Sequence, residues 1–187
     1  MPYDLIVMGT SQGGLHALST IVAGLPKNFR LPIAVVQHRS KDSDDVMISL
    51  LRECGSLPVR EAEDKEMIES GWIYIAPPDY HLLVDGNAFA LSTEAPVAYS
   101  RPSIDVLFES AAESYGERLV GVILTGANAD GAKGLGRIKE FGGYAVVQDP
   151  ATAESAPMPN AAIASVRVDR VLPLGRIAPF LVELMQF

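Results

Sequence analysis

Three side chains in this 187-residue sequence have the types and settings needed to attack a carbonyl group: Ser11, His38 and Asp130. Ser11 is the centre of Gly9-Thr10-Ser11-Gln12-Gly13, which satisfies the G-x-S-x-G pattern of a nucleophile elbow between a strand and a helix. A serine hydroxyl is a weak nucleophile at neutral pH and needs an adjacent base. His38 follows Val35-Val36-Gln37 at the end of a second predicted strand and supplies one. Asp130 stands in a Gly-rich loop, Thr125 to Gly134, after a later buried strand. An acid there would fix the imidazole tautomer and stabilise the imidazolium formed on proton transfer. The chemistry implied is attack of Ser11 on an ester or amide carbonyl. The backbone N–H of Gln12, the residue after the nucleophile, is the evident oxyanion donor.

Each of these residues also has a plainer reading. Ser11 or Thr10 would serve as a helix N-cap in a tight turn, and Asp130 as the N-cap of the helix that follows it. The Gly9 to Gly14 turn would cradle a phosphate at a helix N-terminus, although G-x-G-x-x-G is not met. The other histidines are His16, inside the first predicted helix, and His81, at the start of a hairpin strand after Pro77-Pro78. Position favours His38 over both. The chain order Ser, His, Asp differs from the Ser, Asp or Glu, His order of α/β-hydrolases, so the same roles would be arranged separately.

These residues are useful only if the fold gathers them. Tyr3 to Met8 is a short apolar run that fits a strand buried on both faces, and Leu15 to Leu25 carries apolar residues at helical spacing up to Pro26. Ile33 to Val36 is a second strand, Val46 to Cys54 a helix, and Trp72 to Ala76 a strand stopped by Pro77-Pro78. His81 to Val84 and Ala88 to Leu91 flank Asp85-Gly86-Asn87 as a hairpin. Alternation then resumes with helix 104–115, strand 119–124, helix 132–141, strand 144–148, helix 161–165, strand 171–172 and helix 177–185 with Pro179 in its first turn. The expected fold class is α/β: a three-layer α/β/α sandwich with a mainly parallel sheet and one antiparallel hairpin, a single domain over residues 1–187. In such sheets ligands meet the carboxyl ends of the strands, where Ser11, His38 and Asp130 all stand.

Composition narrows the partners. A 48% hydrophobic and 20% charged chain is globular rather than disordered. The net charge of -8 argues against a nucleic-acid surface, which needs Lys and Arg for phosphates. No apolar run reaches the ~18 residues of a membrane span, and the N-terminus lacks a signal-peptide pattern, so a soluble cytoplasmic protein is expected. Cys54 is the only cysteine, which excludes an internal disulfide and a cysteine-rich zinc site.

Several blocks in order then resemble the catalytic domain of the chemotaxis protein-glutamate methylesterases, the CheB family. They are Met8 to Gly14, Val36-Gln37-His38, Tyr74 to Val84, Arg101-Pro102-Ser103-Ile104-Asp105, Leu124 to Ala132, and Ala156 to Pro159. The resemblance implies Ser11, His38 and Asp130 as the triad and no metal or organic cofactor. It implies a γ-glutamyl methyl ester on the cytoplasmic helices of a methyl-accepting chemoreceptor as substrate, with deamidation of receptor glutamine as a second activity. Gln12 stands where the family usually has Thr, Ala127-Asn128-Ala129 where it has Met-Gly-Asn, and Pro157 where it often has Gly. Gln12 and Ala127 border the expected oxyanion pocket. Family members usually carry an N-terminal receiver domain that covers the site. None precedes Met1, so either a stand-alone esterase or one piece of a longer protein is expected. An altered binding module of the same fold is the alternative function, and oligomeric state is not legible.

Overall fold

The computed structural model describes residues 2–39 and 46–186. Its organising element is β1 (Leu5–Thr10), six residues that are all buried. A strand buried on both faces needs neighbours on both edges and layers above and below. β1 pairs in parallel with β2 (Ile33–Gln37), Ile6 opposite Ile33, and with β7 (Leu119–Ile123), Ile6 opposite Val120. β3 (Val59–Glu61), β4 (Ile73–Ile75), β8 (Tyr144–Gln148) and β9 (Arg170–Leu172) complete a seven-stranded parallel sheet in the order β3-β4-β2-β1-β7-β8-β9. The chain leaves β1 toward one edge and returns to build the other, so the order reverses between β1 and β7. That crevice is where open α/β sheets place their ligands.

Alternation along β1 divides the core in two. Ile6 and Met8 pack with α1 (Gly14–Gly24), α2 (Val46–Cys54) and α6 (Leu174–Leu184). Leu5 and Val7 pack with α3 (Ile104–Tyr115), α4 (Ala132–Glu140) and α5 (Pro157–Ser165). β5 (His81–Asp85) and β6 (Ala88–Ser92) form a separate antiparallel hairpin on the α3 side, with Phe89 edge-on to Tyr74 at 4.9 Å. The three-layer architecture and the hairpin agree with the sequence reading.

Three local expectations are corrected. Val59–Glu61 is an additional edge strand, too short to show a period. The helix expected over 161–165 begins at Pro157, because Pro157 and Pro159 occupy a first turn that needs no intrahelical donors, while Met158 N–H bonds Gly126 O at 2.9 Å. The last helix begins at Leu174, which puts Pro179 inside it. There the buried stripe Leu174, Ile177, Ala178, Leu181 and Leu184 outweighs the roughly 3 kcal/mol cost of an interior proline.

Gly9 shows how tightly α3 sits on β1. A Cβ at residue 9 would lie 2.3 Å from Ile104 Cγ2, whereas one at Gly175 in α6 would meet nothing within 4 Å. Gly9→Ala should therefore lose about 1–3 kcal/mol of stability through overpacking. Gly175→Ala should gain about 0.5–1 kcal/mol by helix propensity. Urea unfolding midpoints of the two variants against the wild type check both signs.

Candidate active site

The carboxyl ends of β2, β1 and β7 are held together past the last sheet pairing. Thr125 O accepts both Thr10 Oγ1 at 2.7 Å and Ser11 N–H at 3.0 Å, and His38 N–H donates to Thr10 O at 3.0 Å. The buried Gln37 amide donates from Nε2 to Ser11 O and His38 O, each at 2.8 Å. Gly13 then takes φ +79, a left-handed conformation that glycine adopts without a Cβ penalty, and α1 begins at Gly14. The elbow thus sits in a turn whose backbone is fixed on three sides, with Ser11 half-buried. Gln12 is exposed, and among the described residues its backbone N–H has no partner.

His38 lies across the turn with each ring nitrogen engaged. Its Nε2 is 2.7 Å from Asp130 Oδ2, and its Nδ1 is 3.4 Å from Asn128 Nδ2. Asn128 Oδ1 accepts Asp130 N–H at 3.0 Å, so the side-chain orientation of Asn128 is settled and its NH2 faces the ring. Nδ1 is therefore the acceptor, and Nε2 carries the hydrogen donated to Asp130. The nitrogens have exchanged places relative to the chymotrypsin arrangement, in which Nδ1–H meets the aspartate.

Asp130 is not the cap of the helix that follows it. The residue before α4 is Gly131, without a side-chain cap, and Asp130 instead caps α3. Its Oδ1 accepts Ser103 Oγ and Asp105 N–H, each at 3.0 Å, and its Oδ2 accepts Ile104 N–H at 2.7 Å. In return, Asp105 in the first turn of α3 caps α4: its Oδ1 accepts Gly131 N–H at 2.9 Å and Gly134 N–H at 2.8 Å. Burial alone would raise the pKa of Asp130. The hydrogen bond from His38, the amides of Asp105 and Ile104, and the charge of His38 together hold it below the ordinary value. Asp105 goes the other way, pushed up to about 6 by burial and by repulsion from Asp130 and Glu109, against the pull of the Gly134 and Gly131 amides.

Ser11, His38 and Asn128 line one cavity of about 420 Å³ with Arg39, Tyr99 and Arg101 among its walls. Arg101 pins the wall, donating to Asp79 Oδ1 at 2.6 Å and to Thr93 O and Glu94 O at 3.0 Å. The turn it supports carries Ala98 and Tyr99 at φ 47 and 65, with Tyr99 fully exposed beside the cavity. Neither Gln12 nor Ala127 has its side chain in this lining, and both are exposed. What they present is backbone: the Ala127 N–H, like that of Gln12, has no partner among the described residues. A cavity of about 650 Å³ lies at the opposite, amino-terminal edge of the strands, around Tyr3, Arg30 and Arg118, away from all three candidate residues. His16 is exposed on α1. His81 is buried and structural, with Nδ1 accepting Ser103 N–H at 3.2 Å and Nε2 facing Ala95 O at 3.1 Å. Among the described residues no group of His, Cys, Asp and Glu converges as a metal site would require.

Sequence reasoning missed Ser103, Asp105 and Asn128 as parts of this arrangement. In the sequence Arg101 to Asp105 stands out only as a block of resemblance, and no spacing rule links it to residue 130.

With this geometry in hand, the comparisons with known proteins are direct. The CheB methylesterase family model matches residues 6–181. The chain belongs to the CheB methylesterase family. A Leptospira interrogans protein, provisionally named protein-glutamate methylesterase/protein-glutamine glutaminase, is 51% identical over 100% of this chain and 97% of its own length. Protein-glutamate methylesterase/protein-glutamine glutaminase 2 of Anaeromyxobacter dehalogenans is 42% identical over 97% of this chain, which spans 53% of that relative. The crystal structure of the Thermotoga maritima CheB methylesterase catalytic domain superposes with a TM-score of 0.93 at 36% identity, covering 98% of this chain and 100% of that one. The α/β fold is therefore that of a CheB catalytic domain.

The paired carboxylates make a pH prediction. Below the ordinary carboxylate value of 3.8 Asp105 is protonated whether folded or unfolded; between there and about 6 only the folded state keeps the proton. Stability from this group is thus present at low pH and lost as pH rises through about 6. Asp105→Asn keeps an acceptor for Gly131 and Gly134. Its stability relative to the wild type should rise between pH 4 and pH 6 and level off above, as measured by urea midpoints across that range.

Proposed function

We propose that this chain, as one catalytic domain over residues 1–187, hydrolyses γ-glutamyl methyl esters on chemoreceptor cytoplasmic helices to glutamate and methanol. The same site would deamidate receptor glutamine to glutamate and ammonia. The observation that carries this reading is the joint presence of Ser11 and His38 on one cavity, with His38 Nε2 2.7 Å from the buried Asp130 carboxylate. Membership of the CheB methylesterase family and the names of the relatives supply the substrate class.

In the proposed cycle Ser11 Oγ attacks the ester carbonyl carbon while His38 Nδ1 takes the hydroxyl proton. Asp130 remains ionised and stabilises the imidazolium through Nε2–H. The negative charge that develops on the carbonyl oxygen is met by the free backbone N–H groups of Gln12 and Ala127. Collapse breaks the bond to the methoxy group, which leaves as methanol with the proton from Nδ1. Water then gives a proton to Nδ1 as its oxygen attacks the acyl carbon, and Ser11 recovers that proton as the new carboxylic acid departs and ionises, releasing its proton to solvent. With glutamine the leaving group is ammonia and every other step is the same.

Methanol release from a methylated receptor fragment tests the reading. Ser11→Ala should lower it by at least about a thousandfold, since the nucleophile is the one member that nothing replaces. Its circular dichroism should match the wild type, because the turn is held by backbone bonds. Undiminished release by the folded variant would overturn the assignment of Ser11. Absence of release by the wild type on several receptor fragments would overturn the substrate class.

A further inference from the structure

We propose that Asn128 is a positioning residue: its side-chain amide holds His38 in the neutral Nε2–H form and is released when Nδ1 takes a proton. The inference rests on the hydrolase reading only for the identity of Ser11 as the donor of that proton.

Three residues close a ring of hydrogen bonds. Asp130 N–H donates to Asn128 Oδ1 at 3.0 Å, Asn128 Nδ2 faces His38 Nδ1 at 3.4 Å, and His38 Nε2 meets Asp130 Oδ2 at 2.7 Å. Because Oδ1 is already committed to a backbone donor, the amide cannot flip without losing that bond. An NH2 group only donates, so the nitrogen opposite it must present a lone pair. A protonated Nδ1 would set two donors against each other at this distance. Asn128 therefore favours the neutral ring, and Asp130 favours the charged one. The base is balanced between a donor on one side and a carboxylate on the other.

Geometry also makes the contact easy to give up. At 3.4 Å it is longer than an ordinary N–H bond to nitrogen or oxygen, and Asn128 is an exposed residue of the cavity wall. A long, solvent-accessible bond holds the resting tautomer and yields in each turnover, whereas the short buried bond to Asp130 persists. Among the described residues, the charged side chains beside the ring have partners of their own. Arg39 donates from Nη2 to Glu61 and to Ala76 O while its Nε and Nη1 are buried without a partner among the described residues, Arg101 is bound by Asp79, and Asp105 stands behind Asp130 on the amides of α4. Tyr99 contributes a neutral phenol to the same cavity. Among the described residues, Asn128 is the side-chain donor that faces the Nδ1 lone pair.

The test is a pH titration of the ring by 1H–15N correlation spectroscopy of the full chain labelled at histidine, without substrate. The wild type should show the Nε2–H tautomer when neutral. In Asn128→Ala the His38 midpoint should move up by about half to one pH unit, the weight of one lost hydrogen bond. Were Asn128 merely a brace for the loop, its loss would loosen Asp130 and move the midpoint down, so the sign decides. Asn128→Asp keeps the acceptor for Asp130 N–H but faces Nδ1 with an oxygen, and should move the midpoint further up than Asn128→Ala. An unchanged or lowered midpoint in Asn128→Ala, or an Nδ1–H tautomer in the wild type, would overturn the proposal. Because no substrate is present, the expected titration in a protein that releases no methanol would leave Asn128 in this role and remove only the hydrolase reading.

Discussion

Two helix N-termini in this fold are capped by each other's carboxylate, and the candidate site depends on that exchange. Asp130, just before α4, receives Ser103 Oγ and the first amides of α3; Asp105, on α3, receives the first amides of α4. Each cap is worth on the order of 1 kcal/mol, and each is lost if either helix slides along the other. The exchange therefore sets the relative position of α3 and α4 to within a hydrogen bond. Only in that position does Asp130 Oδ2 also reach His38, the residue after β2. Two buried carboxylates in one neighbourhood cannot both be ionised cheaply. Their surroundings divide the burden: Asp105 titrates near 6, while Asp130, facing the imidazole, keeps its charge.

A second layer of buried polar groups ties the strand ends to one another. Gln37 at the end of β2 reaches the carbonyls of Ser11 and His38, and Gln148 at the end of β8 accepts Thr125 N–H at 2.9 Å and donates to Thr152 O at 3.0 Å. Thr125 Oγ1 in turn donates to Gln12 O at 2.8 Å. Loops that leave a parallel sheet are ordinarily its mobile parts. Here hydrogen-bonded polar side chains extend the rigidity of the sheet outward by two or three residues, far enough to include Ser11. Preorganisation of this kind is what an oxyanion site requires, since its donors must be in place before charge develops.

Much of this was legible in the sequence, and the exceptions have a common cause. The all-apolar run of β1, the helical spacing of α1 and the position of His38 after Val36-Gln37 are local patterns, and each led to the element or edge found. Asp130 was found by position, but its partners were not, because the cap it forms belongs to a helix 25 to 27 residues earlier in the chain. In the sequence Asn128 stands only within a stretch that departs from the family's usual Met-Gly-Asn; its amide acquires a direction only through the backbone turn at Asp130. Around Pro157 and Pro179 both helices begin earlier than the sequence suggests. Pro157 opens a helix where the sequence suggested a loop, and Pro179 lies within a helix whose apolar stripe outweighs it.

The placing of β1 against β7 has a consequence in time. Thr10 and Thr125, joined across the sheet, are 115 residues apart, and His38 and Asp130 are 92 apart. Ser11 is synthesised well before Thr125 and Asp130, so the candidate site can close only after β7 and the loop beyond it have left the ribosome. Contacts this remote also slow the search for the native state. A nascent or proteolysed piece that stops short of β7 carries Ser11 and His38 without the Asp130 and Asn128 side chains that meet the imidazole. Topology alone thus keeps the candidate triad unassembled in any chain that stops short of β7.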